Sequence, residues 1–242
     1  MISIAVFTFQ RQKMLKRCLA SLSVEEVTDI LIFNDDESNP LAKEDLKLSD
    51  KMSELIQIYN PGDFGFKGRA FRKPIYLNKA IQMAKSDKIL FSDDDGIFVK
   101  GAVLKHLYAL DKHVFCAGSV IRDRLLKRQS KSILQGTNYS FQRDFFNTIG
   151  GYDETYVQSD GGGDVDFWYR IYNAAQEKGL STAYINSASQ KVMARSKRKK
   201  THRKIDPREY TLKKHDLELD GPMYKWFPEI RKKSNWMNII DE

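Results

Sequence analysis

The sequence predicts an α/β fold on a largely parallel sheet, and three observations carry the prediction. Short apolar runs alternate with amphipathic stretches of helical spacing through the first half of the chain, the pattern of successive βα units. Three of these runs end in polar or charged clusters, Thr8 to Arg11, Asp35 to Ser38 and Asp93 to Asp95. In open α/β sheets ligands bind beyond the carboxyl ends of the strands, where loops supply polar groups without disturbing the packed layers. Finally, 41% of the 242 residues are hydrophobic and 30% are charged, which excludes disorder and collagen-like order and allows one large domain with a C-terminal appendage.

Taken in order, Ile2 to Phe7 reads as a strand and Lys13 to Leu22 as a helix. Ile30 to Phe33 is a second strand, closed by the turn-forming run Asn34 to Pro40. Leu55 to Tyr59 is a third. A loop follows with Gly62, Gly65 and Gly68 and four cations, Lys67, Arg69, Arg72 and Lys73. Pro74 suits a helix start, and Leu77, Ala80, Ile81 and Ala84 recur on one face of that helix. Ile89 to Phe91 is a fourth strand, running into Ser92, the three aspartates and Gly96. The second half is less regular. Gly136 to Phe141 reads as a strand, Asp144 to Ile149 as a short helix and Gly150 to Glu154 as a turn. Asp164 opens a helix with Trp168, Ile171, Tyr172 and Ala175 on one face and Gly179 as its stop. Beyond Asp206 the pattern thins, and Trp226 and Trp236 are expected to pack a C-terminal arm onto the domain.

No stretch approaches the roughly 20 apolar residues of a spanning helix, and the N-terminus lacks a signal-peptide pattern. The chain is therefore expected to be cytoplasmic, with peripheral contact at the inner face of a membrane left open. Cys18 and Cys116 fall in apolar settings and read as core residues rather than a disulfide or metal pair. The net charge of +8 is concentrated: Lys178 to Lys204 holds nine Lys or Arg and no acid. Such a run suits an anionic partner, and equally a solvated loop.

Asp93, Asp94 and Asp95 form the sharpest chemical signal. Carboxylates crowded this closely repel one another and favour a hard cation such as Mn²⁺ or Mg²⁺, whose open positions suit phosphate oxygens. Asp35 and Asp36 could accept hydrogen bonds from a base or ribose hydroxyl, or could simply form a turn. The cations of the glycine-rich loop match the charge of a diphosphate. Asp164 and Asp166 follow Gly161 to Gly163 at a helix start, where one could be a general base and either could be a cap. Of the four histidines, His106 reads as a helix-face residue, and His113, His202 and His215 as exposed.

In this order the motifs resemble glycosyltransferase family 2, whose members have the GT-A fold. Thr8-Phe9-Gln10-Arg11 is similar to the family's opening Thr-Tyr-Asn-Arg motif, and Asp35-Asp36-Glu37-Ser38 to its Asp-Asp-Gly-Ser. Asn78 stands 15 residues before Asp93, as in the family, and Asp93-Asp94-Asp95 matches its Asp-X-Asp motif. Gly150 to Glu154 and Gly162 to Phe167 resemble the acceptor-side pattern, with Gly163 where the family usually has Glu.

The resemblance covers about residues 1 to 180 and implies a GT-A (Rossmann-like) domain over 1–205, with a mixed, mainly parallel sheet. A nucleotide-binding half would run over 1–95 and an acceptor half over 96–205, followed by an arm over 206–242. It implies inverting transfer from a nucleotide-diphosphate sugar, a UDP-sugar first, to a hydroxyl of a glycan or lipid-linked acceptor, and the acid-free basic run adds the expectation of that or another anionic acceptor. Asp164 would be the catalytic base, and Thr8, Arg11, Asp35, Asp36, Arg69, Asn78, Asp93 and Asp94 would bind the donor. Asp95 and His202 would hold Mn²⁺ or Mg²⁺. Hydroxylated bases of DNA are the alternative acceptor, and a silent, basic nucleic-acid-binding protein is the rival of another class. A nucleotidyltransferase is disfavoured, because Ile2 to Gln12 contains no glycine for a phosphate loop.

Overall fold

Alternation within the apolar strands decides how the layers stack. In Ile2–Thr8 (β1), Ile2, Ile4 and Val6 face one core while Ala5 and Phe7 face the other, and all seven residues are buried. A parallel strand covered by helices on both sides reads as such a continuous apolar run. The structure, a computed structural model, describes residues 1–67, 71–122, 136–159, 162–192, 205–215 and 236–240.

On one side β1 pairs in parallel with Val27–Asn34 (β2), which pairs in parallel with Ile56–Tyr59 (β3). On its other side it pairs in parallel with Lys88–Asp93 (β4). The remaining strands are Gly96–Phe98 (β5), Phe115–Arg122 (β6), Tyr139–Gln142 (β7), Thr182–Val192 (β8) and Asn238–Ile240 (β9). The order across the sheet is β3-β2-β1-β4-β7-β6-β8-β5, with β9 beside β8. β7 runs antiparallel to both β4 and β6, so the sheet is mixed.

Gln12–Ala20 (α1) covers one face through Leu15, Cys18 and Leu19, joined by Ala102–Ala109 (α5) through Ala102, Val103 and Leu107. The short helices Lys43–Leu46 (α2) and Asp50–Leu55 (α3) add Leu46 and Met52 to the same core. Lys73–Met83 (α4), Arg143–Thr148 (α6) and Gly163–Lys178 (α7) cover the other face. Phe167, Trp168 and Ile171 of α7 are at most 1% exposed. Burying each such side chain contributes roughly 1.5–3 kcal/mol. Gly179 ends α7 at a φ of +60°, the left-handed cap that glycine adopts without steric cost. Pro207–Lys214 (α8) packs against α7. Trp236 is buried against Tyr172, ring centroids 5.6 Å apart, as expected of the C-terminal arm; Trp226 lies outside the described residues.

Five predicted strands and four predicted helices stand within a few residues of their expected bounds. Three differences have physical causes. The strand expected from Gly136 starts only at Tyr139, because Asn138 adopts a φ of +58° that interrupts the ladder. Part of the acid-free run is not a loop: Thr182–Val192 is β8, whose polar Asn186, Ser187, Ser189 and Gln190 concealed its pattern. The arm also contributes a strand, β9, to the same sheet. Cys18 and Cys116 are buried free thiols, as expected. Among the described residues no helix is long and apolar enough to cross a membrane.

Candidate active site

The chain passes from β1 outward to β2 and β3, then returns to lay β4 on the other side of β1. Such a reversal opens a crevice at the carboxyl ends of the strands. Thr8 closes β1, and its hydroxyl donates to Asp94 Oδ2 at 2.6 Å. Arg11, at the start of α1, reaches Asp94 Oδ1 at 2.6 Å and Asp95 Oδ2 at 2.9 Å. The backbone N–H of Asp94 donates to Phe7 O, and that of Asp35 to Thr8 O. Three predicted clusters are thus bonded to one another. Burial pushes the Asp94 carboxyl up to about 7, against the pull of Arg11 and Thr8.

Asp93 points another way. Its Oδ1 accepts from Lys73 Nζ at 2.5 Å, and the same ammonium donates to Gly136 O at 2.7 Å. Across Gly136 stands Asp164, at the start of α7: a β-carbon on Gly136 would lie 3.4 Å from Asp164 Oδ2 and 3.7 Å from Lys73 Nζ. Burial raises the proton affinity of Asp164, with Lys73 and the backbone N–H groups of Asp164 and Val165 opposing and Asp93 adding. Asp93 and Asp164, 71 residues apart in the chain, therefore flank one cation.

The other predicted residues fall around this pair. Asp35 is buried on Arg72, at 2.9 Å to the guanidinium and 3.1 Å to its backbone N–H, and Arg72 lies 5.4 Å above the Phe66 ring. Asp36 Oδ1 accepts from Ser38 N and Oγ, so that oxygen belongs to the turn. Asn78 bonds both backbone groups of Tyr152 and Glu154 Oε1, and so clamps α4 to the Gly150–Glu154 turn. Arg69 and His202 lie outside the described residues, as does all of the basic run after Val192.

One histidine expectation is corrected. His215 is not exposed: its Nε2 lies 2.8 Å from Asp166 Oδ1, where Lys214 and Arg170 also converge. His106 lies on a helix face, as expected, and that face is the buried one: the ring rests on Ser140 and Asn138, and burial lowers its pKa to about 4. Lys73 was one of four undifferentiated cations in the sequence. A local conflict could have singled it out, since a lysine in the first turn of a helix opposes the helix dipole.

Burial alone would raise Asp166, but His215, Arg170 and Lys214 outweigh it and hold the carboxyl at about 2. Its folded pKa is below the ordinary 3.8, so its stabilisation is complete above that value and is lost as pH falls towards 2. The expected loss is on the order of 2 kcal/mol. Thermal melts of the parent and Asp166→Asn should converge between about pH 5 and about pH 2. Parallel curves would show that the cluster does not stabilise the docked α8.

The model of the family described as Glycosyl transferase family 2 matches residues 3–212. No curated protein sequence matches the chain. Among solved structures, S. aureus TarS (residues 1–349) in complex with UDP-GlcNAc superposes with a TM-score of 0.60 at 13% identity, over 81% of this chain and 59% of that one. The mannosyltransferase PcManGT from Pyrobaculum calidifontis, in complex with GDP-Man and Mn²⁺, gives 0.56 at 14% identity, over 81% and 57%. A second structure of TarS 1–349 gives 0.54 at 14% identity, over 71% and 55%. The chain thus spans less than two thirds of each, and these similarities bear on the fold.

Proposed function

We propose, from the premise that this chain belongs to glycosyl transferase family 2 and has the GT-A fold, that it transfers a sugar from a nucleoside-diphosphate sugar to an acceptor hydroxyl with inversion. The observation that carries the reading is the placement of Asp164 across Gly136 from the Lys73–Asp93 pair, at the crevice where the strand order reverses. One carboxylate with raised proton affinity, set apart from a cation and a second carboxylate, suits a single displacement. Asp164 takes the proton of the acceptor hydroxyl, and Lys73 faces the charge that develops on the departing diphosphate.

The family implies a divalent cation, and the donor set is compatible with one in its chemistry: Asp93, Asp94 and Asp95 are hard oxygen ligands. Among the described residues no three ligand side chains converge on one point. An ion such as Mn²⁺ or Mg²⁺ would therefore be held by one or two carboxylates, Asp95 first, together with donor phosphate oxygens. When bound, it would add positive charge at the diphosphate. Asp95 is covered by Arg11, so the guanidinium must share or yield that carboxylate.

Thr8 ends β1 and Asp35 and Asp36 follow β2, and in this reading they bind the nucleoside. Asp36→Ala is expected to weaken donor binding by about tenfold with a smaller change in turnover at saturation. Unchanged donor affinity would leave Asp36 as a turn residue only. A UDP-sugar is the first donor to try. The acid-free run from Lys178 to Lys204 favours an anionic glycan or lipid-linked acceptor, with hydroxylated DNA second, and acceptor use should then fall with added salt.

A screen of nucleotide sugars for slow hydrolysis, with Mn²⁺ or Mg²⁺ present, tests the reading directly. Hydrolysis of one of them supports it. Salt-sensitive DNA binding without any turnover would favour the silent nucleic-acid-binding protein instead.

A further inference from the structure

Around the backbone of Asp93 runs a closed ring of hydrogen bonds. The backbone N–H of Asp93 donates to Thr137 Oγ1 at 2.9 Å, and that hydroxyl donates to Gln190 Oε1 at 2.9 Å. Gln190 Nε2 donates to Ser92 Oγ at 2.7 Å, and Ser92 Oγ donates to Asp93 O at 2.8 Å. Within the ring every proton has one acceptor, and the Cys18 thiol makes a longer contact, 3.9 Å, with both Ser92 Oγ and Asp93 O. Both backbone groups of Asp93 are therefore gripped by hydroxyls, and both hydroxyls are gripped by one amide. Gln190 is 0% exposed, and its amide fills the space at Gly96, where a β-carbon would lie 2.1 Å away. No other residue fits at position 96 while Gln190 holds this position.

The ring exists because the sheet ladder fails here. β4 and β7 are antiparallel with Phe91 opposite Tyr139, so Thr137 would face Asp93 in the next pair along. Asn138 breaks the strand at a φ of +58°. Its Nδ2 donates to Ser119 O and Ala188 O, and its Oδ1 is 3.1 Å from His106 Nε2, so the break is held from behind. The Thr137 hydroxyl then supplies the acceptor that the backbone no longer offers. The preceding Gly136 O receives Lys73, so one three-residue corner locates both members of the Lys73–Asp93 pair.

We propose that Thr137, anchored by Gln190, is a positioning residue that holds Asp93 and Lys73 in register for the donor diphosphate. The proposal rests on the transferase reading above. It assigns no contact with substrate to Thr137 or Gln190. Their effect runs through the backbone of Asp93 and the carbonyl of Gly136.

Binding of UDP and of GDP, each with Mn²⁺, measured calorimetrically on the full chain, tests it. Thr137→Val keeps the shape and removes the acceptor, and is expected to weaken binding of whichever nucleotide the parent binds by about tenfold. Thr137→Ser should restore affinity to within about twofold, because it keeps the hydroxyl. A merely structural role would lower the melting temperature without changing the affinity of the folded protein. Ser92→Ala opens the ring from its other end, so it serves as a second measurement if Thr137→Val fails to fold, with a loss in the same direction expected. Parent-like affinity in whichever of the two variants folds, with binding by the parent, would overturn this inference alone. A parent that binds neither nucleotide and hydrolyses no nucleotide sugar would overturn the transferase reading, and this inference with it.

Discussion

Asp164→Asn is expected to lower sugar transfer by about a thousandfold while changing donor affinity by no more than about twofold. Asparagine keeps the shape and the helix-start position but cannot take up a proton at neutral pH. Three acidic residues compete for the role of base, and their surroundings separate them. Asp166 is tied to Arg170, Lys214 and His215 and held at about 2, too weak a base for a hydroxyl. Burial would raise Asp153, but bonds from Lys214, Thr155 and Tyr210 outweigh it and leave it lowered as well. Asp164 is shifted upward, chiefly by burial, towards the range in which a carboxylate serves as a base. Its ionised form is needed, so turnover should fail on the acid side. Loss of the Lys73 charge in Lys73→Met should move that acid limb to higher pH, because the cation favours the ionised form. Single-turnover transfer with pre-bound donor measures the effect of Asp164→Asn. Transfer at the parent rate would return the assignment to Asp166 or Asp153.

The second large effect is expected at the acidic triple. Asp95→Asn, or removal of divalent ions by a chelator, should reduce nucleotide-sugar turnover by at least about a hundredfold, with the fold intact. Asp95 is joined to the domain through Arg11 at 2.9 Å, and Asn at this position can still accept that bond, so a collapse of structure is not the expected outcome. Circular dichroism and melting temperature check the fold, and added Mn²⁺ or Mg²⁺ should restore the chelated parent but not the variant. Full activity in the presence of chelator would show that Arg11 and Lys73 provide all the positive charge the diphosphate needs. Asp93→Asn, measured alongside, separates the carboxylate on Lys73 from the one on Arg11.

Much of this site was legible in the linear order of residues. Apolar runs long enough to be buried on both faces, at Ile2 to Phe7, Ile30 to Phe33 and Ile89 to Phe91, determine parallel strands. Those strands end in Thr8, Asp35 and Asp93, which local chemistry alone marks as loop residues. The helical spacing of Leu77, Ala80 and Ile81, and the glycine stop at 179, likewise need no tertiary information, because periodicity and backbone sterics are local. Three things were decided only by the folded chain. Lys73 was singled out from its neighbouring cations because α4 starts beside β4, while Arg72, one residue earlier, is directed to Asp35. His215 was drawn to Asp166 and Asn78 to Tyr152, contacts over 49 and 74 residues that no local pattern encodes. Gln190 became buried in the ring around the Asp93 backbone through a pairing of β6 and β8 that the polar sequence of β8 concealed. Hydrophobic periodicity reports which face of an element is covered. It carries no information on which distant polar group will meet a given side chain, because that depends on strand order and register across the whole sheet.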